Sequence, residues 1–248
     1  MMIEHADKHT WQRMNAADAL SYFTGSNRKK VQTSLPLLEA AGVTYTVAPA
    51  TRAMIDQFTP LYLTTINGKE NPNPHNVYEK TIGNPTAAFP YYGLELYDHG
   101  VYVGGTIFSV RPDRVSYAYR SYLRTWPQAT LKANPALIAE YAVAEYALAH
   151  QLPLISHGKD RNPYGRNSNI GLAIFKLSLG YTAYLPATYE RHTLDTDTVT
   201  DDILVLERPA VGDRITDAFL IVDQQNEAVY AQLLAYPEQL RVHVLHRD

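Results

Sequence analysis

Length, composition and charge already limit what this chain can be. Its 248 residues are enough for one large domain or two small ones, and a core of that size needs no disulfide or metal. The absence of cysteine excludes disulfide frameworks, thiolate metal sites and a cysteine nucleophile. A formal net charge of −3 is not typical of a broad nucleic-acid-binding surface.

Neither a membrane span nor a secretory signal is predicted. No run of about 18 apolar residues occurs, and the segment Met1–Lys8 is polar. We therefore expect a cytoplasmic protein with no membrane partner.

The first 42 residues are predicted to form a helical lead-in, with the basic cluster Arg28-Lys29-Lys30 on a solvated helix face. Residues Val43–Val47 alternate and are rich in β-branched side chains, which indicates a strand. The spacing of apolar residues then predicts an amphipathic helix over Thr51–Thr65, interrupted at Pro60.

The strongest β signal follows a long, proline-rich connection. The segments Tyr92–Tyr97, Val101–Val110 and Val115–Leu123 are separated by two turns of hairpin length, one containing Gly100 and the other Pro112. Three strands joined in this way form an antiparallel meander.

The second half of the chain alternates helices and strands. Asn134 is followed by Pro135, a pattern typical of a helix start, and the helix is predicted to reach His150. The remaining predicted elements are a strand over 152–157, a helix capped by Asn167 or Ser168 and ending at 179, strands over 181–185, 203–206 and 241–245, and a helix over 226–235. This order indicates the α/β class, specifically an α+β mixed sheet with helices on its faces.

These elements resemble the GNAT acyltransferase superfamily, and within it the branch of Fem-type aminoacyl transferases and related single-chain N-acyltransferases. The closing helix carries the most specific signature: Gly171-Leu172, then Phe175-Lys176, then Gly180. Three weaker matches precede it, at Asn27–Lys30, at Val101–Thr106, and at helix 135–150 running into 154–158.

The resemblance implies a domain organisation. Residues 1–42 are the helical lead-in, residues 43–208 form the GNAT-like acyltransferase domain, and residues 209–248 form a C-terminal β-α-β extension packed on the same domain. It also implies an N-acyltransferase that moves an acyl group directly to a primary amine of a small molecule or peptide, without a metal.

The co-substrate implied by the resemblance is acyl-CoA, with acetyl-CoA the first candidate. The residues expected to contact it are Tyr122, Leu123, Arg124, Thr125, Lys132 and Asn167. In this superfamily a glycine-rich turn before the central helix holds the pyrophosphate through backbone N–H groups. The corresponding segment here, Arg124–Asn134, contains no glycine.

Three residues are the expected catalytic groups. Lys176 occupies the place where many GNAT enzymes have a tyrosine, and its ammonium would stabilise an oxyanion or bind phosphate. His157, at the end of a predicted strand, is the candidate general base, and Asp160 would orient His157 or bind the amine. Replacing a catalytic Lys176 with alanine is expected to abolish turnover while leaving the melting temperature within a few degrees. Alternatively, Lys176 is a surface lysine on the polar face of an amphipathic helix.

The expected substrate contacts lie on one strand and one loop. Strand alternation places Arg120 and Tyr122 on one face and Tyr117, Tyr119 and Ser121 on the other. Of these, Tyr119 and Arg120 are substrate-binding candidates. In the polar loop that follows, the candidates for binding an anionic group are Lys159, Arg161 and Tyr164.

Two other functions stay open at this point. The donor is an aminoacyl-tRNA in Fem-type enzymes, and the basic residues near 28–30 and 159–166 would then meet RNA phosphates. The chain would otherwise be a non-catalytic binding or scaffold protein that keeps the fold. The sequence also leaves open whether the chain forms a homodimer.

Overall fold

The computed structural model describes residues 1–14, 17–68, 72–166 and 168–247. Within these ranges the chain forms twelve strands: β1 Met2–Ala6, β2 Lys8–Met14, β3 Val43–Pro49, β4 Tyr91–Asp98, β5 Val101–Arg111, β6 Arg114–Tyr122, β7 Leu154–Arg161, β8 Thr182–Tyr184, β9 Arg191–Asp195, β10 Ile203–Leu206, β11 Asp217–Val222 and β12 Arg241–His246.

Five α-helices accompany the strands: α1 Gly25–Ser34, α2 Arg52–Asn67, α3 Val77–Lys80, α4 Pro135–Ala149 and α5 Ile170–Ser178. Short 3₁₀ segments cover Ala19–Tyr22, Leu35–Leu37 and Thr196–Thr198, and a longer one covers Gln224–Ala235. No helix in the described ranges is long and apolar enough to cross a membrane.

The chain divides into two compact units. One comprises Met14–Ser156 and is called here the meander unit. The other, the terminal unit, joins Met1–Arg13 to His157–Asp248. This division differs from the expected boundaries at 42 and 208, because the first strands of the chain belong with its last ninety residues.

The sheet of the meander unit runs in the order β3-β4-β5-β6-β7. Its first four strands pair antiparallel, and β6 pairs parallel with β7. The predicted mixed sheet is therefore confirmed. The ladder between β6 and β7 has three residue pairs, from Arg114/Leu154 to Ser116/Ser156, whereas the β5/β6 ladder continues to Gly104/Tyr122.

Helices cover both faces of this sheet. Ile107 packs with Ile55 and Phe58 of α2, while the ring of its neighbour Phe108 contacts Tyr146 of α4 at 5.4 Å. Successive strand residues point to opposite faces, so α2 and α4 lie on opposite sides. The expected interruption at Pro60 is wrong: α2 continues through it, since Pro60 is exposed and the hydrogen bond it cannot donate is lost on the solvent side.

The terminal unit is built from long-range strand pairs. Strand β1 pairs antiparallel with β9, and β2 pairs antiparallel with β8. Strands β10, β11 and β12 form a separate three-stranded sheet. A buried cluster that includes Ile3, Leu194 and Ile203 fills the space between them.

Two expectations fail in the terminal unit. Residues 2–14 form strands rather than part of a helical lead-in, because their partners lie about 180 residues further along the chain. Strands β9 and β11 were not predicted at all. The predicted strands at 203–206 and 241–245 are confirmed to within one residue, and the helix at 226–235 is 3₁₀.

We expect Gly104→Ala to destabilise the protein more than Gly100→Ala. Both glycines have positive φ angles, 145° and 78°, so alanine is strained at either by about 1–2 kcal/mol. A Cβ on Gly104 would also lie 2.6 Å from the Tyr122 Cα, whereas a Cβ on Gly100 would meet nothing within 4 Å. The crowding adds about 1–3 kcal/mol. Urea unfolding of the two variants measures the difference, and equal losses would show that the strand contact costs nothing.

Candidate functional site

A bulge in β6 determines which face of the sheet each candidate side chain of the meander unit occupies. Ile107 pairs with Tyr119 and Phe108 pairs with Tyr117, so Ala118 is an extra residue on β6. An extra residue reverses the alternation of the strand from that point. Tyr117 therefore shares a face with Arg120, and the assignment of Tyr117 to the face of Tyr119 by simple alternation is wrong.

Both side chains on that face converge on Glu140 of α4. The Arg120 Nη1 donates to Glu140 Oε1 at 3.1 Å, and the Tyr117 hydroxyl donates to Glu140 Oε2 at 3.1 Å. Glu140 is 3% exposed, whereas 26% of the Arg120 side chain reaches solvent. A buried carboxylate thus fixes a partly exposed guanidinium, whose planar donors suit a carboxylate or phosphate.

The two other strand candidates have different surroundings. Tyr122 hydrogen-bonds through its hydroxyl to Thr106, and burial raises the pKa of Tyr122. Tyr119 lies on the α2 face, where its ring contacts Tyr62 at 5.5 Å. Burial raises the pKa of Tyr119 to about 12, so it is a neutral hydrogen-bonding group at physiological pH.

The segment between β6 and α4 is held by internal hydrogen bonds. Asp98 Oδ2 accepts from the Gln128 and Ala129 backbone N–H groups at 2.8 and 3.1 Å, and Ser34 Oγ accepts from the Ala133 N–H at 2.9 Å. The Leu123 N–H donates to a strand carbonyl at 2.8 Å. These amides are consequently already used within the protein.

Backbone N–H groups at the start of α4 are also largely used within the protein. Pro135 has no N–H group, and the Leu137 and Ile138 N–H groups donate to Asn134, which caps the helix as predicted. Four backbone N–H groups between β6 and α4, those of residues 123, 128, 129 and 133, thus have partners inside the protein and are not free to bind the pyrophosphate of acyl-CoA. Of the candidates for binding the co-substrate, Arg124, Thr125 and Lys132 have exposed side chains, and Asn167 lies outside the described residues.

In the terminal unit, three of the predicted site residues meet in a buried cluster. The Lys176 Nζ donates to Asp160 Oδ2 at 2.6 Å, and the Tyr164 hydroxyl donates to the same oxygen at 2.7 Å. Lys176 is 2% exposed and Tyr164 is completely buried. Burial raises the pKa of Asp160, but the Lys176 ammonium and the Tyr164 hydroxyl more than offset this and hold the pKa below its ordinary value.

This geometry corrects two expectations. Lys176 is not a surface lysine, and Tyr164 does not face a substrate from the loop, because its hydroxyl is fully used inside the core. Asp160 is oriented by these two residues. The predicted cap of the helix that carries Lys176 is also wrong: Asn169, rather than residue 167 or 168, accepts the Gly171 N–H at 2.7 Å.

His9 and Trp11, which the sequence did not single out, complete the cluster. The Trp11 Nε1–H donates to the Tyr164 oxygen at 2.7 Å, and the His9 Nε2 lies 2.7 Å from the same oxygen. Because Tyr164 gives its proton to Asp160, its oxygen accepts from both rings, which places the His9 proton on Nε2. The His9 Nδ1 has no partner among the described residues.

His157, Lys159 and Arg161 lie on β7, where the second segment of the terminal unit begins, so the two cations expected in a loop stand on a strand. The His157 ring packs against Tyr181 with the ring centres 4.1 Å apart, and Arg13 stacks on Tyr181 at 4.7 Å. His157 is half-buried, while Lys159 and Arg161 are exposed. The structure thus keeps these two cations available to an anionic ligand.

We expect His9 to make the protein acid-sensitive. Burial lowers the pKa of His9 from 6.5 to about 3, so below pH 6.5 the unfolded chain binds a proton that the folded chain does not. The free energy of unfolding should therefore fall by about 1.4 kcal/mol per pH unit between roughly pH 6 and 4. His9→Gln keeps an N–H donor but does not titrate, and parallel pH profiles for it and the native protein would contradict this assignment.

We expect Lys176→Met to destabilise the protein strongly, contrary to the effect expected for a surface lysine. The substitution leaves the Asp160 carboxylate buried without a cation, at a cost of about 3–5 kcal/mol. Adding Asp160→Asn should recover part of the loss, and the control Lys159→Met, at an exposed position, should change stability by less than about 0.5 kcal/mol. Urea unfolding tests the series; an unchanged midpoint for Lys176→Met would show that the pair is not needed.

Comparison with known proteins identifies the fold. No protein-family model and no curated protein matches the chain. Among solved structures, FemX superposes with a TM-score of 0.51 at 12% identity, over 71% of this chain and 59% of FemX. This likeness confirms, at the level of the fold, the expected resemblance to the Fem-type branch, and it means that the chain spans about six tenths of FemX.

Two further structures are more distant. A conserved protein of unknown function from Bacteroides thetaiotaomicron matches with a TM-score of 0.49 at 15% identity, over 78% of this chain and 61% of that protein. L-PGS from Bacillus licheniformis matches with a TM-score of 0.41 at 15% identity, over 72% of this chain and 54% of L-PGS.

Proposed function

We propose that this protein transfers an aminoacyl group from a charged tRNA to a primary amine of a small molecule or peptide. The observation that carries the proposal is a FemX-like fold in which three amides of the segment before α4, those of Gln128, Ala129 and Ala133, already have partners inside the protein. The fold supports acyl transfer by analogy. The occupied amides favour a carrier that does not need them.

Exposed cations support a polyanionic carrier. Arg28, Lys29 and Lys30 are exposed on α1 of the meander unit. In the terminal unit Lys159, Arg161 and Arg166 are exposed along β7 and the loop after it. RNA phosphates are bound mainly by such side chains, and the overall acidic charge does not prevent a local basic contact.

The chemistry needs an amine, a base and an oxyanion contact. The amine nitrogen attacks the carbonyl carbon of the ester that links the amino acid to the terminal ribose. The new amide bond forms as the ester C–O bond breaks, and the ribose hydroxyl leaves with a proton. We assign His157 as the base that removes the proton from the amine, because imidazole is the side chain suited to accept a proton near neutral pH.

Arg120 and the Lys176–Asp160 pair have separate roles in this proposal. Arg120, fixed by Glu140 and partly exposed, binds an anionic group of the substrate. Lys176 and Asp160 do not contact the substrate in this scheme. They act as positioning residues that hold the end of β7 against α5 through their buried ion pair.

Acyl-CoA, with acetyl-CoA as its simplest form, is the second candidate donor. The side chains of Arg124 and Lys132 favour it, since both are exposed in the segment that precedes α4 and can bind a diphosphate without backbone amides. The two donors are distinguished by binding and by turnover with each one.

We expect charged tRNA to bind in a strongly salt-dependent manner and to support amide formation. Because each phosphate contact releases about one counterion, Arg161→Ala should reduce the slope of log affinity against log salt by about one. Arg241→Ala, which removes an exposed cation on β12, is the matched control and should leave the slope unchanged. Titrations monitored by fluorescence anisotropy measure both slopes.

The transfer itself is measured with a labelled aminoacyl group and a panel of primary amines. Turnover with acetyl-CoA and none with charged tRNA would replace the proposal with the second candidate. Binding of charged tRNA without any transfer would instead indicate a non-catalytic binding protein.

A further inference from the structure

Two consecutive backbone N–H groups in the meander unit point at one carboxylate oxygen. Gln128 and Ala129 both donate to Asp98 Oδ2, at 2.8 and 3.1 Å. The Asp98 side chain is 0% exposed. Adjacent N–H groups converging on one point are the arrangement with which loops bind phosphate and other anions. Here the anion is part of the chain.

The turn that carries Asp98 is built to hold the carboxylate in place. His99 Nδ1 lies 2.7 Å from Asp98 Oδ1, so the second carboxylate oxygen is also bound. The His99 N–H donates to the Gly42 carbonyl at 2.7 Å, and a Cβ on Gly42 would come within 2.7 Å of the His99 ring. Glycine at position 42 therefore allows the turn that carries Asp98 to pack against residue 42, which brings Asp98 within hydrogen-bonding distance of Gln128 and Ala129.

These contacts hold the carboxylate in its charged form. Burial raises the pKa of Asp98, but His99 and the two amides outweigh it, and the pKa lies below its ordinary value. The next bound amide of the segment, that of Ala133, donates to Ser34 rather than to Asp98. Internal oxygens thus satisfy the amides at both places in the loop.

We propose that Asp98 is a specificity-determining residue: it is a resident anion that occupies two converging amides before α4 and excludes carriers that would bind there through a diphosphate. The proposal rests on the proposed function only for the choice of carrier. Anion binding is measured without turnover, so failure of this inference and failure of the aminoacyl transfer are separate results.

The experiment removes the carboxylate and offers an external anion in its place. Asp98→Ala removes the carboxylate that accepts from both amides and from the His99 side chain, and its melting temperature should fall by roughly 5–10 °C. Millimolar inorganic pyrophosphate or free CoA should restore part of the loss in a concentration-dependent manner, and calorimetry should detect their binding. The native protein should show neither effect.

Two controls distinguish binding of pyrophosphate in place of the Asp98 carboxylate from a general stabilising effect of anions. Asp98→Asn keeps a side-chain oxygen for the two amides, so it should remain unresponsive to pyrophosphate. Gly104→Ala is destabilised elsewhere and keeps Asp98, so pyrophosphate should not restore it. If pyrophosphate fails to stabilise a folded Asp98→Ala, or stabilises all three variants equally, the proposal is overturned.

A measurement on the native protein covers the case in which Asp98→Ala does not fold. Amide hydrogen exchange followed by NMR should find the Gln128 and Ala129 N–H groups protected without any ligand, and their resonances should not move when pyrophosphate or CoA is added. Fast exchange of these amides, or a shift of their resonances on adding either anion, would overturn the proposal.

Discussion

Pairing of buried carboxylates is the constraint on which the organisation of each unit depends. A carboxylate removed from water is stable only when cations or hydrogen-bond donors surround it. Asp160 has Lys176 and Tyr164, and Glu140 has Arg120 and Tyr117. Each carboxylate joins two elements of its unit, β7 to α5 for Asp160 and α4 to β6 for Glu140, so its donors fix local geometry that apolar packing alone would leave adjustable.

Elements that depend on local sequence signals were predictable, whereas elements that depend on partners far along the chain were not. Helix α4 and the meander β4–β6 are encoded by local signals, namely an Asn-Pro start and two short turns, and they were predicted to within a few residues. Strands β1 and β2 were missed because their partners follow about 180 residues later, and a polar start with few apolar residues gives no local sign of that pairing.

The site was less predictable than the fold, for a similar reason. Alternation places side chains correctly only while the register is regular, and the extra residue Ala118 changes it without any glycine or proline to mark the place. The burial of Lys176 was equally hidden, since its partner Asp160 comes from another element. One signal was available: Glu140 stands in an otherwise apolar stretch of α4, and a carboxylate there needs a partner.

The proposed role of Asp98 depends on the difference between an anion held by the fold and a dissolved one. Asp98 is held beside its amides by the fold, so its effective concentration there exceeds that of any dissolved metabolite, and no translational entropy is lost when it binds. A diphosphate would have to displace it and leave a buried carboxylate without its two amide donors, at a cost comparable to breaking a buried charged hydrogen bond. On the proposed function, the carrier is therefore bound through exposed side chains, and we propose that one residue in a hairpin turn, Asp98, determines the choice of donor.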